Sequence, residues 1–323
     1  MTRLPEGHDG SPQPPLTRPP DFESFWEKTR TEIARIPPSV SREPLESRNA
    51  ALGFERLNFA SLREARVSGY AIQWKDNIPR PLVVHSHGYG GGLDPMWRWA
   101  EAGVNVVGVE ARGFGRSRDA LPAPSRWGYA LTGIESPEGY VLRGAVCDYM
   151  RAVEVGGEIL GPLVSRTVLN GTSFAGGLAV MAQSVMQVAD LLVVAVPSFG
   201  WAEGRRVLVE EGSGREINRY LEAHPEREDD AMVVLSYFDP MNFAADIRCP
   251  TLVGLGLEDD VVPAPTVYAI ANHLGGPHEV IRLPVSHTER PEEKLWDRFE
   301  ARWLRLAVGG VPPDFGEEEE SSI

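Results

Sequence analysis

The segment Asn170-Gly171-Thr172-Ser173-Phe174-Ala175-Gly176-Gly177 constrains this chain more than any other. Before it runs Arg166-Thr167-Val168-Leu169, short and β-branched; after it runs Leu178-Ala179-Val180-Met181-Ala182, apolar and rich in helix formers. A buried strand that passes directly into a helix must fold back on itself at the serine. A Cβ two positions earlier would collide with its neighbours, so glycine stands there. The pattern reads GTSFA where GxSxG is usual, leaving Ala175 at the last small position; alanine is nearly as small but does not relieve strain at positive φ. Two readings remain at this point. A strained turn can hold the serine hydroxyl out at the top of an α/β sheet, or the segment is a glycine-rich strand–helix turn in which Ser173 only caps the helix.

The rest of the 323-residue chain restricts the choice. Hydrophobic residues make up 42% and charged residues 24%, as in ordinary globular proteins. The net charge of -14 argues against a nucleic-acid partner, which needs a basic face. Cys147 and Cys249 sit in apolar segments and read as buried, reduced thiols. No CxxC or HExxH spacing points to a metal, and no cofactor is expected. No apolar run is long enough to span a bilayer and none resembles a signal sequence, so a cytoplasmic location without membrane partners is the expectation.

Along the chain, residues 1–20 are rich in Pro, Gly and polar residues and read as a disordered arm. A helix opens at Asp21, a candidate N-cap, with Phe22, Phe25 and Trp26 on one face. Alternating residues from Leu52 to Trp74 predict antiparallel strands at a sheet edge. Apolar runs at Pro81–His85, Val104–Val109, Arg166–Leu169, Leu191–Val196, Thr251–Leu255 and Glu279–Leu283 alternate with helical segments. That rhythm predicts a doubly wound, mostly parallel sheet. The segment Asp119–Pro137 lacks periodicity, and Trp201–Tyr237 reads as a helical insertion. The domain is expected to span residues 21–308, followed by a disordered acidic tail over 309–323 that carries Glu317–Glu320.

Chemistry enters through chain order. A serine hydroxyl needs a base, and the base needs an orienting carboxylate. In α/β-hydrolases these follow as Ser, acid, His, with the serine on a nucleophile elbow. Here Ser173, the pair Asp259 and Asp260, and His287 each follow a different predicted strand in that order, so all three can converge on one rim. His87 also lies near the rim and reads as a structural histidine pinning the Gly88–Gly92 loop. A tetrahedral intermediate needs N–H donors. The residue after the nucleophile, Phe174, supplies one, and Tyr89 in HGYGG is the candidate for the other. Trp97 and Trp99 follow the same loop as Tyr89, and bulky rings around the acyl carbon leave room for little beyond a methyl group; Phe114 and Trp97 are the expected pocket residues, with an apolar slot for a longer chain, lined by Phe114 and Phe174, as the alternative. A serine esterase cleaving short acyl esters of a small molecule is the reading. A general carboxylesterase, a peptidase or amidase of the same fold, and a non-catalytic binding module on a hydrolase scaffold are the alternatives.

The sequence resembles the acetyl xylan esterase / cephalosporin-C deacetylase family, carbohydrate esterase family 7. The resemblance rests on DFESFW, HGYGG, the ARGFG turn, the Tyr140–Glu154 helix with RAVE, GTSFAGGLA, YFDPMNFA and GLEDDVVPAPTVYAIANHL, then the histidine. It implies the α/β-hydrolase fold, deacetylation of acetylated sugars or similar small molecules, an intracellular location and a ring-shaped homo-hexamer. By the same resemblance Ser173 is the nucleophile, Asp259 the triad acid and His287 the base, with Tyr89 and Phe174 as oxyanion donors. Three positions depart from the family pattern: its RGQ reads Arg112-Gly113-Phe114, its GxSQG reads GTSFA, and its His-Glu pair reads His287-Thr288. Backbone donors survive such changes, whereas the two glutamine side chains near the site are lost.

Overall fold

Short segments that read as unbroken apolar runs lie side by side as parallel strands, and alternating segments close the sheet along one edge. The computed structural model describes residues 11–288 and 294–309; residues 1–10 of the expected arm and the acidic tail beyond residue 309 lie outside them. In chain order the elements are α1 (Phe22–Ala34), β1 (Ser41–Pro44), β2 (Leu52–Ala60), β3 (Arg66–Trp74), β4 (Arg80–Ser86), α2 (Trp97–Glu101), β5 (Asn105–Glu110) and α3 (Val141–Leu160). Then follow β6 (Val164–Thr172), α4 (Phe174–Met186), β7 (Leu191–Ala195), α5 (Ala202–Leu208), α6 (Gly212–Ala223), α7 (Glu228–Ser236) and α8 (Pro240–Ala244). The chain closes with β8 (Thr251–Gly256), α9 (Ala264–Ala271), β9 (His278–Leu283) and α10 (Leu295–Val308).

The nine strands form one sheet in the order β1-β2-β3-β5-β4-β6-β7-β8-β9. Neighbours from β5 through β9 run parallel, while β1, β2 and β3 are antiparallel to their neighbours. β7 and β8 are buried at every position, which is why their sequences show no alternation. One face of the sheet packs on α3, α4, α8 and α9 around Tyr149, Leu178 and Phe243. The other packs on α2 and α10, where Trp99 and Trp303 meet edge-to-face at 4.9 Å. This is the expected doubly wound α/β architecture. The helical insertion is present as α5, α6 and α7.

Local signals explain most boundaries and also the departures. Phe22, Phe25 and Trp26 are buried on one face of α1, and Trp26 Nε1 donates to Tyr237 O at 3.1 Å. Asp21 stands at the N-cap position without capping; its carboxylate accepts the Tyr237 hydroxyl instead. β1 was not visible in the sequence because all four of its residues are exposed. It is held at the edge by pairing with β2, with Arg42–Glu55 and Arg56–Glu43 ion pairs across the two strands. Charges of this kind discourage further strand addition.

The disordered-arm expectation needs correcting for residues 11–20. Thr17 N donates to Asn242 Oδ1 at 2.9 Å. Gln13 Nε2 donates to Asn272 O, and Asn272 Nδ2 donates to Ser11 Oγ, both at 2.8 Å. Arg18 pairs with Asp246. Polar, proline-rich composition says nothing of partners more than 200 residues away, and those partners decide whether such a segment is tied down.

Candidate active site

The elbow forms as its small residues require. Ser173 has φ 56° and ψ -117° between the end of β6 and the start of α4. A Cβ on Gly171 would lie 2.2 Å from Ala175 O, and one on Gly177 would lie 2.5 Å from Ser198 O. The positive φ falls on Ser173 itself, so this is where the backbone strain sits. Ala175 lies inside α4 and is not among the positive-φ residues, so it carries no such strain. Ser173 N donates to Ala195 O at 2.9 Å and Ser198 N donates to Ser173 O at 3.0 Å, which ties the elbow to the end of β7. The Ser173 hydroxyl lies 3.2 Å from Ser198 Oγ.

The loops after β8 and β9 are joined by Leu257 N to Leu283 O at 2.8 Å and Glu258 N to Val285 O at 3.1 Å. Gly256 permits this approach, since a Cβ there would sit 2.7 Å from Val285 O. The junction presents Asp259 to His287: Oδ2 and the ring Nδ1 are 2.8 Å apart. The other carboxylate oxygen accepts Val261 N at 2.9 Å and Val262 N at 2.7 Å. Asp259 is therefore buried and fixed at both oxygens, while Asp260 and Glu258 are exposed. Ser173 sits at the carboxyl end of β6 on the same rim, where open α/β sheets bind ligands. Among the described residues its hydroxyl is bonded to Ser198, not to His287.

Phe174 is the first residue of α4, so its N–H has no intrahelical acceptor. Tyr89 lies in the loop after β4, which turns through Gly91 and Gly92 at φ 80° and 84°. His87 secures the base of that loop. Its Nδ1 is 2.7 Å from Gly88 O, and its Nε2 accepts Ala111 N at 3.1 Å. With Nε2 accepting, Nδ1 carries the proton and the ring is neutral. Burial lowers its pKa from the ordinary value, in keeping with that role.

The rings are distributed differently from the expectation. Phe174 is fully buried, surrounded by Tyr89, Phe114, Tyr129, His87 and Phe199 at centroid separations of 5.8–6.0 Å. Phe114 is half-buried and packs on Tyr129 at 4.5 Å with the ring planes tilted by 49°. The two departures from the family's glutamines thus meet as a pair of rings. Trp97 is not a pocket residue. It packs on Phe54 at 4.9 Å beneath Arg48, half-buried against the core on the opposite face of the sheet from Phe174. Helix α2 carries it there, because its Trp99 must bury against Trp303.

Three residues near the elbow and loops were missed in the sequence. Ser198 follows the strand-end proline Pro197, a turn signal at the same rim that could have flagged it. Tyr129 comes from the aperiodic segment, and its hydroxyl is buried without a partner among the described residues. Glu216, on α6, accepts the Tyr89 hydroxyl; no local pattern links an insertion helix to a loop after β4. No cluster of His, Cys, Asp and Glu suited to a metal occurs among the described residues, and none of their helices is long and apolar enough to cross a membrane.

Comparison with known proteins adds an independent line. The acetyl xylan esterase (AXE1) family profile matches residues 12–303. The acetyl esterase Axe7A of Xylanibacter ruminicola is 21% identical, over 92% of this chain and 69% of its own length. The acetyl xylan esterase from Paenibacillus sp. R4 superposes with a TM-score of 0.82 at 24% identity, covering 92% of this chain and 97% of that one. Acetyl xylan esterase 1 from Thermoanaerobacterium sp. JW/SL YS485 also gives 0.82, at 21% identity over 90% and 94%. The chain belongs to the acetyl xylan esterase family and is a carboxylic ester hydrolase of α/β-hydrolase fold.

Proposed function

We propose that the protein removes acetyl groups from a small acetylated molecule such as a sugar, through an acyl-enzyme on Ser173. The observation that carries this reading is the Asp259–His287 pair at 2.8 Å on the rim that also presents Ser173 at positive φ. Asp259 holds the ring with Nδ1–H toward itself, which leaves Nε2 free as the base. In this mechanism the Ser173 hydroxyl leaves Ser198, 3.2 Å away, and turns to that nitrogen. The serine oxygen attacks the acyl carbonyl while His287 takes the proton. The N–H groups of Phe174 and Tyr89 receive the oxyanion. Proton return from His287 expels the alcohol. Water then enters, with His287 again as base, and releases the acid and the free serine.

The acyl side is read as small because Phe114, Tyr89 and Tyr129 crowd the loops beside Ser173. Overfilling a packed wall costs about 1–3 kcal/mol for each step in size, or roughly five- to 150-fold in rate. The test is kcat/KM for p-nitrophenyl acetate, butyrate and octanoate, expected to fall steeply in that order. A rise with chain length would replace the acetylesterase reading by a general carboxylesterase. Parallel assay of a peptide amide addresses the amidase alternative, and failure of Ser173 to react with a fluorophosphonate probe would favour a binding module. Cytoplasmic residence and a homo-oligomer, a hexamer by resemblance, belong to the same proposal. The free cysteines fit a reducing compartment, and exposed Val207 on α5 and Val233 on α7 offer apolar contact surface. Light scattering of the purified chain measures the assembly.

A further inference from the structure

Glu216 is placed where the insertion touches the oxyanion loop. Its carboxylate accepts the hydroxyl proton of Tyr89. The same hydroxyl accepts Ala130 N at 2.8 Å, so Tyr89 is gripped by α6 on one side and by the Tyr129–Leu131 turn on the other. The carboxylate also lies against the backbone of Gly128: a Cβ there would be 2.1 Å from Glu216 Oε2, and Gly128 has φ 126°. Only glycine accommodates both conditions.

Helix α6 is itself anchored. Ile217 and Leu221 are buried beneath it, and Asn218 Nδ2 donates to Arg205 O at 3.2 Å and Val209 O at 3.1 Å. The carboxylate is thus presented from a fixed element. Burial pushes its pKa above the usual carboxylate range, opposed by the Tyr89 and Ala130 donors. A hydrogen bond onto an ionised carboxylate is stronger than one between neutral groups.

We infer that Glu216 is a positioning residue, which holds the Tyr89 N–H at the oxyanion and so makes the oxyanion hole depend on the α5–α7 insertion. The inference rests on the assignment of Tyr89 as an oxyanion donor under the proposed mechanism. The loop needs such a tether because its one backbone bond, Gly91 N to Gly88 O at 2.9 Å, closes a turn over four glycines that favour no single conformation, and among the described residues the Tyr89 N–H has no hydrogen-bond acceptor. The side chain is the remaining handle. Releasing it lets the N–H drift from a position that must be held to a fraction of an ångström.

The experiment compares Glu216→Ala, Glu216→Gln, Tyr89→Phe and the Tyr89→Phe/Glu216→Ala double variant with the parent. Two readouts are taken: kcat and KM for p-nitrophenyl acetate, and hydrogen–deuterium exchange of the peptide covering residues 88–92. Glu216→Ala should lower kcat about 10- to 100-fold with KM within about twofold, short of the full loss of an oxyanion donor. Glu216→Gln keeps an acceptor and should recover most of kcat. The double variant should be no worse than Tyr89→Phe, because that change already removes the bond to Glu216 together with the one from Ala130 N. Exchange at residues 88–92 should quicken in Glu216→Ala and Tyr89→Phe. Unchanged exchange, a kcat within twofold of the parent, a loss confined to KM, or equal damage in Glu216→Gln would overturn the inference. If Glu216→Ala fails to fold, Tyr89→Phe and Glu216→Gln carry the same test. A parent that exchanges as expected but does not turn over the acetate would sink the proposed acetylesterase reading while leaving the tether standing.

Discussion

At the scale of single residues, the adjacent acids Asp259 and Asp260 show how position decides role. They have the same chemistry and neighbouring places in the chain. Only Asp259 is buried, with two backbone N–H groups on one oxygen and the His287 ring on the other. Asp259→Asn presents an N–H where His287 needs an acceptor and favours the wrong tautomer, so kcat should fall roughly 10⁴-fold. Asp260→Asn should stay close to the parent. The reverse order in steady-state assays would refute the assignment. Ser173→Ala should lower kcat by about 10⁴ to 10⁶, leaving only the contribution of the oxyanion donors and binding. A variant within tenfold of the parent would remove Ser173 from the mechanism.

At the scale of elements, β6, β8 and β9 deliver the three groups to one rim, and glycines set how closely their loops meet. Gly256 lets the β8 and β9 loops touch, and Gly171 lets α4 start directly against β6. α1 works differently, as a buttress. Phe25 and Trp26 meet Phe238 at 5.8 and 5.6 Å, and Trp26 meets Phe243 at 5.2 Å, so α1 clasps the region after the insertion. Trp26→Ala should cost about 3–5 kcal/mol of stability with little change in kcat of the folded fraction. Denaturant unfolding monitored beside activity checks this; an unchanged midpoint would mean that the cavity is filled at no cost.

At the scale of the whole molecule, the buried ion pair of Arg112 and Asp148 ties the end of β5 to α3. Asp148 accepts Arg112 N and Nε at 2.9 Å and Nη2 at 2.6 Å, and it is fully buried. Removing one partner strands a charge without water, so Asp148→Ala should destabilise by about 3–5 kcal/mol, read as a lowered Tm. A Tm equal to the parent's would show that solvent enters the site. The pair stands beside Phe114 through the Arg112-Gly113-Phe114 turn, so the loop that carries Phe114 should loosen with it.

What the sequence by itself determined is whatever depends on neighbours in the chain. The burial of the sheet's central strands, the tight strand-to-helix turn at Ser173, the insertion between β7 and β8, and the succession of Ser173, Asp259 and His287 after three separate strands all follow from local periodicity, small residues and chain order. The tertiary structure alone decided the rest. Trp97 and Phe174 are both large aromatic residues close to glycine-rich loops, yet one faces the core beneath the far side of the sheet and the other the core beneath the site. That choice depends on which face a helix must bury, and the chain does not state it locally. Residues 11–20 look like a free arm until Asn242 and Asn272 supply partners. Glu216 reads as one more charge on a polar helix until α6 folds over Tyr89. Contacts between residues more than a hundred positions apart are set by how the layers close, and only the closed structure shows which polar groups meet there.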